Sequence, residues 1–514
     1  MFSFFKKKKK TKQNVQQPKN TTPPIETNIP VSSHFNVNIA KILTHLDHTD
    51  DLGQRKIRFK EKQGLLLYVV PLMKTEKINQ DIIAPLQHAQ SGEVEEIVQV
   101  ASIAKTKDIH EAIHLLSKGA CLFLIEDLDY IYAIDATLHE SRAVEQPHNE
   151  KVVHGSHEGF VENLNKNINL IRQRILDGSV VVKYVEIGEI SRTRIAVVYL
   201  NHITNKALVE KVLSRLKSIQ VDAVDTPGII DESIEESPYS LFPQILNTER
   251  PDRVVSNLLE GRIAILITGS SSALIAPVNF FSFFQSPEDY NSRSVFGTFY
   301  RLIRILGFFI AISLPALYIA TISFHYELIP NDLILTVKSS LENVPLPPIA
   351  EALLMVIILE LLREAALRLP TAISQTIGVV GGLVIGTAIV EANLVSNMMI
   401  IVIALTAIAS FVVPSNEMST SLRVLSFPMM FGAAIFGYLG IVFIFVIILM
   451  HLTLLESFGA PYLYPLAPFQ LKNIKDSVVR MNHWYMNDRP RDTVPQKIRR
   501  QTSLRNWTKH ENET

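Results

Sequence analysis

The feature that most constrains this chain is the contrast between a charged first part and an apolar second part. Long apolar runs begin near residue 302, whereas charged residues are concentrated before residue 300 and in the last stretch of the chain. An α-helix needs about 20 predominantly apolar residues to cross a bilayer. Because lipid offers the backbone no hydrogen-bond partners, such runs fold as helices. The sequence therefore predicts a large soluble region followed by an all-α multi-span membrane domain over residues 295–460.

Three apolar runs have the expected length, at residues 302–324, 373–390 and 396–413. A fourth run, at 422–452, is too long for one untilted helix and too short for two full crossings. Pro428 and Gly437 are among the residues that could interrupt it. Whether this run crosses the membrane once or twice is left open by the sequence.

The segment 350–369 is apolar but carries several charges. A charge at the centre of a lipid-exposed helix costs about 2.5–3.5 kcal/mol. Three of these intramembrane charges, Glu360, Glu364 and Arg368, share one side of a helix, and the last two are spaced for an i,i+4 ion pair. That side must face water, protein or headgroups, so the segment either spans the membrane, re-enters it or lies on it.

The soluble region is predicted to contain two small α/β subdomains, at residues 36–140 and 150–290. In the second, β-branched runs such as SVVVKYVEI and RTRIAVVYL alternate with helix-like stretches, a pattern that favours α/β units. The run CLFLIEDLDYIYAIDA predicts a hairpin in the first, because acidic residues separate two apolar strands. Residues 1–35, with lysines at 6–10, are predicted to form a disordered basic arm that membrane lipid could attract.

The distribution of Lys and Arg predicts that both ends of the chain are cytosolic. Arg293, Arg301 and Arg304 lie at the start of the first apolar run, whereas residues 325–337 beyond it contain no Lys or Arg. The last stretch, 461–514, is rich in Lys and Arg and is predicted to be a basic cytosolic tail. Because these residues favour the cytosolic side, the number of crossings is even. Four crossings are preferred if 350–369 does not span the membrane, and six if it does.

Sequence motifs give little support for an enzyme. His110 and His114 match the HExxH spacing of zinc proteases, but no third ligand stands at a recognised spacing. A surface helix with Ile109, Ile113 and Leu116 inward accounts for the same pattern. The phosphate-binding motif GxxxxGK[ST] is absent, so no catalytic residue, metal or cofactor is expected. The 50 acidic and 50 basic residues balance, so no global field favours nucleic acid as a partner.

The run at 373–390 has two distinct faces. Glycines at i, i+4 and i+8 let helix backbones approach closely in lipid, and these helix-packing candidates are Gly378, Gly382 and Gly386. The pore-lining candidates are Thr376, Val380, Leu383, Val384, Thr387 and Glu391. In this hypothesis Val380, Leu383 and Val384 form an apolar constriction that gates by dewetting, and Glu391 forms a charged ring at one mouth. The alternative is a packed bundle helix with polar ends.

Four stretches carry a resemblance to a known family. They read GSHEGF at 155–160, TPGIIDESIEES at 226–237, FPQILNTERPDRVVSNLLEGRIAILITGSSSALIAPVNFFSFFQSPEDY at 242–290 and PTAISQTIGVVGGLVIGTAIVEANLVS at 370–396. Together they resemble the GerA family, the A subunits of spore germinant receptors. The chain departs from the family pattern at His157, where relatives tend to carry Arg, and at ITGSSSAL, where an acidic turn is more usual.

The resemblance implies a homo-oligomer in the spore inner membrane that acts with a transporter-like B subunit and a lipoprotein C subunit. Such receptors sense nutrients and release ions, so the resemblance implies a nutrient-gated ion channel that triggers germination. A secondary transporter stays open as an alternative, because transporters also use broken helices and intramembrane charges. A non-conducting membrane scaffold for the partner subunits is the other alternative.

Overall fold

The structure is a computed structural model that describes residues 29–89, 91–100, 102–136, 146–147, 150–342, 344–370, 373, 382, 384 and 386–501. It contains two domains built on sheets and a helical domain. The C-terminal stretch returns from the helical domain and packs against the second sheet domain.

The first domain contains a five-stranded antiparallel sheet in the order β1-β2-β4-β5-β3. Its strands are β1 (Leu52–Phe59), β2 (Lys62–Val69), β3 (Ile103–Thr106), β4 (Ala120–Ile125) and β5 (Ile131–Asp135). Its helices are α1 (Phe35–His45) and α2 (Ile109–Ser117), with short helical turns at Val70–Leu72, Thr75–Lys77, Ile78–Ile83, Ala84–His88 and Val94–Ile97. The predicted hairpin is confirmed, because β4 pairs with β5 from Ala120 opposite Asp135 to Phe123 opposite Tyr132.

The second domain contains another five-stranded antiparallel sheet, in the order β6-β7-β9-β10-β8. Its strands are β6 (Val180–Ile187), β7 (Thr193–Leu200), β8 (Leu246–Thr248), β9 (Ile263–Ile267) and β10 (Ala273–Ala276). Its helices are α3 (Leu164–Arg174), α4 (Lys206–Lys217), α5 (Pro227–Ile234) and α6 (Pro251–Leu259), followed by short turns at Phe280–Phe284 and Pro287–Asn291. Helices α3 and α6 cover one face of the sheet, and α4 and α5 cover the other. Burial on both faces explains why strands such as β9 are continuous apolar runs.

The sheets correct the predicted fold class in one respect. Both are antiparallel, so the two domains are of the α+β type and not of the α/β type, which requires parallel strands. The physical reason is the length of the connections: β6 and β7 are joined by a tight turn in which Gly188 has a φ of +93°. A short turn can join only antiparallel strands, and alternating strands and helices do not reveal the strand direction.

The predicted disordered arm is shorter than expected at its C-terminal end. Pro30 forms a bridge with Asp108, and the backbone N–H of Val31 donates to the carbonyl of Lys107 at 2.9 Å. The chain is therefore attached to the first domain from residue 29 onward, because its backbone pairs beside the N-terminus of α2. The remainder of the predicted arm, residues 1–28, lies outside the described residues.

A buried ion pair joins the two sheet domains. Arg172 on α3 donates to both carboxylate oxygens of Asp51, at 2.7 and 2.8 Å, and both side chains are almost fully buried. The Thr49 hydroxyl accepts from the backbone N–H of Val182 at 3.0 Å, and the backbone N–H of Asp50 donates to the Val182 carbonyl at 2.9 Å. The loop that leads into β1 therefore pairs directly with β6 of the second domain.

The helical domain contains α7 (Ser294–Phe324), α8 (Asn331–Glu342), α9 (Pro348–Arg368), α10 (Asn397–Phe411), α11 (Asn416–Phe436) and α12 (Tyr438–Leu454). Among the described helices, α7 and α11 are long and apolar enough to cross a membrane, and α10 and α12 are shorter apolar helices. The run at 422–452 is divided between α11 and α12 at Gly437, which has a φ of +59°. Pro428 lies inside α11.

The C-terminal stretch is part of the second domain's surface. Strands β11 (Glu456–Ser457) and β12 (Ala460–Pro461) form a small ribbon, followed by helical turns at Leu471–Asp476 and His483–Tyr485. The Tyr462 hydroxyl donates to the carbonyl of Pro243 at 2.7 Å, and Arg489 Nε donates to the carbonyl of Leu259 at 2.6 Å. The second domain and this stretch therefore lie at the same end of the helical domain, which we call the inner end.

We predict that Arg172→Met lowers the free energy of unfolding of the sheet domains by about 3–5 kcal/mol, because it leaves the Asp51 carboxylate buried without its cation. Urea-dependent proteolysis of the purified full-length protein measures this change. Arg174→Met, two residues along α3, is the matched control: Arg174 pairs with the half-exposed Glu158, and we expect a loss below about 1 kcal/mol. Equal losses in the two variants would contradict the assignment.

Candidate functional site in the helical domain

The helical domain exposes an extensive apolar surface. Only four residues of α12 are buried, and most of its outward side chains are apolar. Exposed large apolar side chains on four helices include Leu306, Phe309, Ile401, Leu405, Ile408, Phe431, Ile435, Leu439, Val442, Phe443 and Val446. A soluble monomer rarely exposes an apolar surface of this extent, so lipid or a neighbouring subunit must cover it.

The charged side of α9 contacts α11 through Glu360. The Glu360 carboxylate accepts hydrogen bonds from Arg423 Nη1 at 2.6 Å and from Arg363 Nη1 at 3.3 Å. Its predicted neighbours, Glu364 and Arg368, form the expected i,i+4 pair at 2.6 Å and are exposed. The prediction of that pair is confirmed. Glu360 instead faces protein, so one carboxylate serves two arginines within the bundle.

Arg363 lies beside a small cavity between the helices. Its Nε and Nη2 are buried and have no hydrogen-bond partner, and its guanidinium stacks over the Phe411 ring at 4.6 Å. The cavity has a volume of about 30 Å³, and its polar lining includes Glu360, Arg363, Thr406, Ser410, Arg423 and Ser426. Since a buried water needs only about 10–15 Å³ and two to four polar partners, the site has room for an ordered water between helices.

Glu351 fixes the opposite end of α9. Its side chain is fully buried, and one oxygen accepts from the backbone N–H of Ser396 at 2.9 Å. Ser396 is the N-cap of α10, and its hydroxyl lies 3.1 Å from the Tyr318 hydroxyl near the end of α7. The first turns of α9 and α10 therefore meet the last turns of α7, at the outer end of the bundle.

A second charge cluster anchors the inner end of α7. The buried Asp289 carboxylate accepts from Arg304 Nη1 at 2.7 and 2.8 Å and from Arg301 Nη2 at 3.3 Å. Arg301 Nη1 also donates to Asp476 Oδ1 at 3.1 Å, and the Tyr290 hydroxyl donates to the same carboxylate at 2.9 Å. The cluster thus connects the end of the second domain, helix α7 and the C-terminal stretch.

The predicted pore-lining and helix-packing residues are only partly described. Thr376, Gly378, Val380 and Leu383 lie outside the described residues. Val384, Thr387 and Glu391 are exposed on the surface of the single chain, whereas Ile389 between them is buried in the core. At Gly382 and Gly386 no described atom lies within 4 Å of the position that a Cβ would occupy. The assignments of these residues to a pore and a helix interface stay predictions.

The HExxH match lies on α2, where the simpler interpretation holds. Ile109, Ile113 and Leu116 point into the core of the first domain, and the Asp108 side chain caps the helix by accepting from the backbone N–H of His110. Across the described residues no group of three His, Cys, Asp or Glu side chains is arranged to hold a metal ion.

Carboxylates meet where the second domain contacts the start of α11. Burial and the negative charges of Glu235 and Glu417 raise the pKa of Asp231 to about 8. Asp231 Oδ1 is also buried without a hydrogen-bond partner. The contact between α5 and the helical domain is therefore sensitive to protonation.

Comparison with known proteins identifies the family. The family model described as "Bacillus/Clostridium GerA spore germination protein" matches residues 40–492. The chain belongs to the GerA family. It is 39% identical over 450 residues to spore germination protein A1 of Bacillus subtilis (strain 168), covering 86% of this chain and 93% of that protein. It is 36% identical over 469 residues to the membrane protein YfkQ of the same organism, covering 90% and 91%.

A solved structure is also similar to this GerA-family chain. It is the crystal structure of the N-terminal domain of the A subunit of the Bacillus megaterium spore germinant receptor GerK3. The match has 22% sequence identity and a TM-score of 0.40, and it covers 49% of this chain and 98% of that one.

Sequence reasoning missed two residues of the charge cluster at the inner end of α7. Asp289 and Asp476 were not singled out, although Arg301 and Arg304 were noted as markers of orientation. The available signal was the placement of these two arginines inside the long apolar helix, because buried guanidinium groups require carboxylates. The sequence could not name the partners, since Asp476 is 175 residues from Arg301.

We predict that Glu360→Gln lowers the stability of the helical domain by roughly 3 kcal/mol, because Arg363 and Arg423 then lose their shared carboxylate. Thermal unfolding of the purified protein in detergent measures the change. Glu364→Gln makes the same substitution one turn away at an exposed pair, so we expect a loss below about 1 kcal/mol. A loss in Glu364→Gln as large as that in Glu360→Gln would contradict this account.

We predict that Asp231→Asn stabilises the protein at alkaline pH by a few kcal/mol, since the pKa of Asp231 is raised from 3.8 to about 8 and each pH unit corresponds to roughly 1.4 kcal/mol. The folded chain keeps the Asp231 proton up to about pH 8, whereas the unfolded chain loses it near 3.8. The free energy of unfolding therefore falls as the pH rises from 3.8 to about 8, because the buried carboxylic acid resists ionisation. Asn cannot ionise, so the variant avoids this loss. Unfolding at pH 9 and pH 4 measures it, with the exposed Glu232→Gln as control. A gain that is the same at both pH values would refute the assignment.

Proposed function

We propose that this chain is the A subunit of a spore germinant receptor and forms an oligomeric, nutrient-gated ion channel in the spore inner membrane. It acts without catalytic residues or a cofactor. A transporter-like B subunit and a lipoprotein C subunit are its partners, and both chain ends are cytosolic. Membership of the GerA family and the exposed apolar surface of the bundle support this proposal.

The path of the chain favours six crossings over four. Helix α7 leaves the second domain, and its last residue, Phe324, reaches Gly437 at the outer end. Helices α9 and α10 both begin at that outer end and run inward, since Arg363 and Phe411 meet toward the other end. We propose that the chain between them, most of which lies outside the described residues, returns outward. With α11 running outward and α12 inward, the bundle has six passes and α9 is a full span.

The exposed residues between α9 and α10 carry the proposal of a channel. Glycines at 382 and 386 pack on no described atom, although close backbone approach is what such spacing permits. Val384, Thr387 and Glu391 are exposed on the same segment, and Ile389 is held in the core. A segment that is buried at Ile389 and exposed to solvent at Val384, Thr387 and Glu391 is suited to meet a second copy of the chain and to line a central axis.

We propose that the Asp289 cluster at the inner end of α7 transmits the gating movement to the helices around the central axis. The Asp289 cluster joins α7 to both the second domain and the C-terminal stretch. A ligand bound on the B subunit that favours one packing of the sheet domains would shift the bundle between closed and open states. Such a shift requires only a difference of a few kcal/mol between the affinities for the two states.

We predict that Val380→Ala and Leu383→Ala raise the resting ion leak of liposomes that contain the assembled receptor, because a smaller apolar side chain weakens the dewetted constriction. We expect Glu391→Gln to reduce the preference for cations. Flux of a fluorescent ion indicator measures both effects. Leu405→Ala, at an exposed position on α10, is the matched control and is expected to leave the leak unchanged.

Assembly is checked in the same preparations. Crosslinking must show oligomers for the constriction variants, whereas Gly386→Leu should reduce oligomers because it fills the open glycine face. Unchanged leak in fully assembled Val380→Ala and Leu383→Ala proteins would refute the channel proposal.

A secondary transporter is the alternative that a specific observation favours. Glu360, Arg363 and Arg423 form a charged cluster that lines a small cavity within the bundle, and transporters also place charged groups between their helices. Saturable exchange of one substrate against one ion, abolished by Glu360→Gln, would support transport. Flux of several ions down their gradients without saturation would support a channel. If the partner subunits assemble normally and neither test shows flux, the result would support a non-conducting membrane scaffold.

A further inference from the structure

A shallow depression lies beside the first turn of α7, at the inner end of the helical domain. Its volume is about 310 Å³, and it is lined by Ser294, Val295, Thr298, Arg480, Met481, Asn482 and Tyr485. The Thr298 hydroxyl donates to the carbonyl of Arg480 at 3.1 Å, which holds the C-terminal stretch against the helix. Two separate segments of the chain therefore form this surface.

Arg480 is a buried cation for which the described residues provide no carboxylate as counter-ion. The residue is 4% exposed, and its Nε is buried without a hydrogen-bond partner. Its Nη2 lies 3.4 Å from the carbonyl of Tyr290 and 2.9 Å from His483 Nε2, neither of which carries a negative charge. No ion pair joins it to a carboxylate of the described residues. Since a buried guanidinium is costly unless it is paired, an anion from outside the chain is expected here.

The nearby N-terminus of α7 has no acidic residue in its first turn either. The N-cap residue of α7 is Arg293, its side chain makes no capping hydrogen bond, and the first turn contains no acidic residue. The free N–H groups and the helix dipole give such a terminus affinity for an anion. Arg293 adds a second positive charge at the rim, where it is exposed. Arg480 and the terminus thus favour the same kind of ligand.

The surroundings of the depression are apolar. Val295, Phe296 and Phe299 are 73%, 54% and 58% exposed on the first two turns of α7. Tyr485 and Met481, on the facing segment, are exposed as well. Aromatic and apolar side chains in this position are typical of the boundary between membrane and water. A soluble anion would leave these side chains in water, whereas the acyl chains of a lipid would cover them.

We propose that this depression binds the phosphate headgroup of an anionic phospholipid from the leaflet that faces the second domain. The phosphate lies between the Arg480 guanidinium and the first turn of α7, and the acyl chains lie along Val295 and Phe299. The proposal rests on the membrane orientation proposed above and is independent of ion conduction. A lipid held here contacts both α7 and the C-terminal stretch, next to the Asp289 anchor.

Native mass spectrometry of the purified full-length protein in detergent tests the proposal. Phosphatidylglycerol and phosphatidylcholine with identical acyl chains are added in turn. We expect the wild type to prefer phosphatidylglycerol, and Arg480→Gln to bind it about tenfold more weakly, since a charge-assisted hydrogen bond is lost. Ser294→Asp should have the same effect, because its carboxylate occupies the terminus. An acid in the first turn stabilises a helix, so this variant is expected to fold.

Two controls make each outcome decisive. Arg491→Gln removes the same charge from an exposed position of the C-terminal stretch and should keep the wild-type preference. Arg480→Lys keeps the positive charge and should keep most of the preference for phosphatidylglycerol. Equal binding of both lipids by the wild type, or an unchanged preference in Ser294→Asp, overturns the site whether or not the protein conducts ions. If millimolar inorganic phosphate protects against thermal unfolding as well as phosphatidylglycerol does, the ligand is soluble phosphate and the lipid assignment is wrong.

Discussion

Asp289 holds the helical domain to the rest of the molecule. Its carboxylate is fully buried and binds two arginines of α7, while Arg301 extends the contact to Asp476 of the C-terminal stretch. At Gly297 an added Cβ would lie 2.6 Å from the carbonyl oxygen of Asp289, so the backbone of α7 approaches this segment as closely as glycine permits. Because three parts of the chain depend on one carboxylate, their relative positions are fixed together.

A buried pair of an arginine and a carboxylate also joins the two sheet domains. Arg172 and Asp51 form a bidentate, buried pair, and the preceding loop pairs with the edge of β6. A displacement of the first domain would therefore be passed to the second domain and then, through the Asp289 cluster, to α7. This continuous set of contacts gives a physical route by which a displacement of the sheet domains can reach the helical domain.

The charges inside the bundle, unlike those of the Asp289 cluster, are not fully paired. Glu360 balances only one of the two arginines beside it, and Arg363 retains donors without partners next to a small cavity. Polar groups of this kind are costly in a membrane and are usually kept for function. They lie between α9 and α11, so this helix contact depends on paired charges as well as on apolar packing.

The order of elements could largely be predicted from the sequence, because local periodicity determines them. The β4–β5 hairpin, the strands β6 and β7, the long helix α7 and the Glu364–Arg368 pair follow from alternation, apolar length and i,i+4 spacing. Family membership also followed from the sequence, since long stretches such as 242–290 carry the resemblance. These features depend on residues that are near one another in the chain.

Only the tertiary structure decided the features that join distant residues. Strand direction depends on whether a turn or a crossover closes each connection, so α/β patterning did not reveal antiparallel sheets. The pairs Arg172–Asp51, Arg301–Asp476 and Glu360–Arg423 join residues that are 121, 175 and 63 positions apart, and the sequence contains no local signal that selects these distant partners. Likewise Arg480 looks like one of many basic residues of a tail until folding buries it without a carboxylate. Local propensity fixed the elements, whereas the requirement to pair buried charges fixed how they assemble.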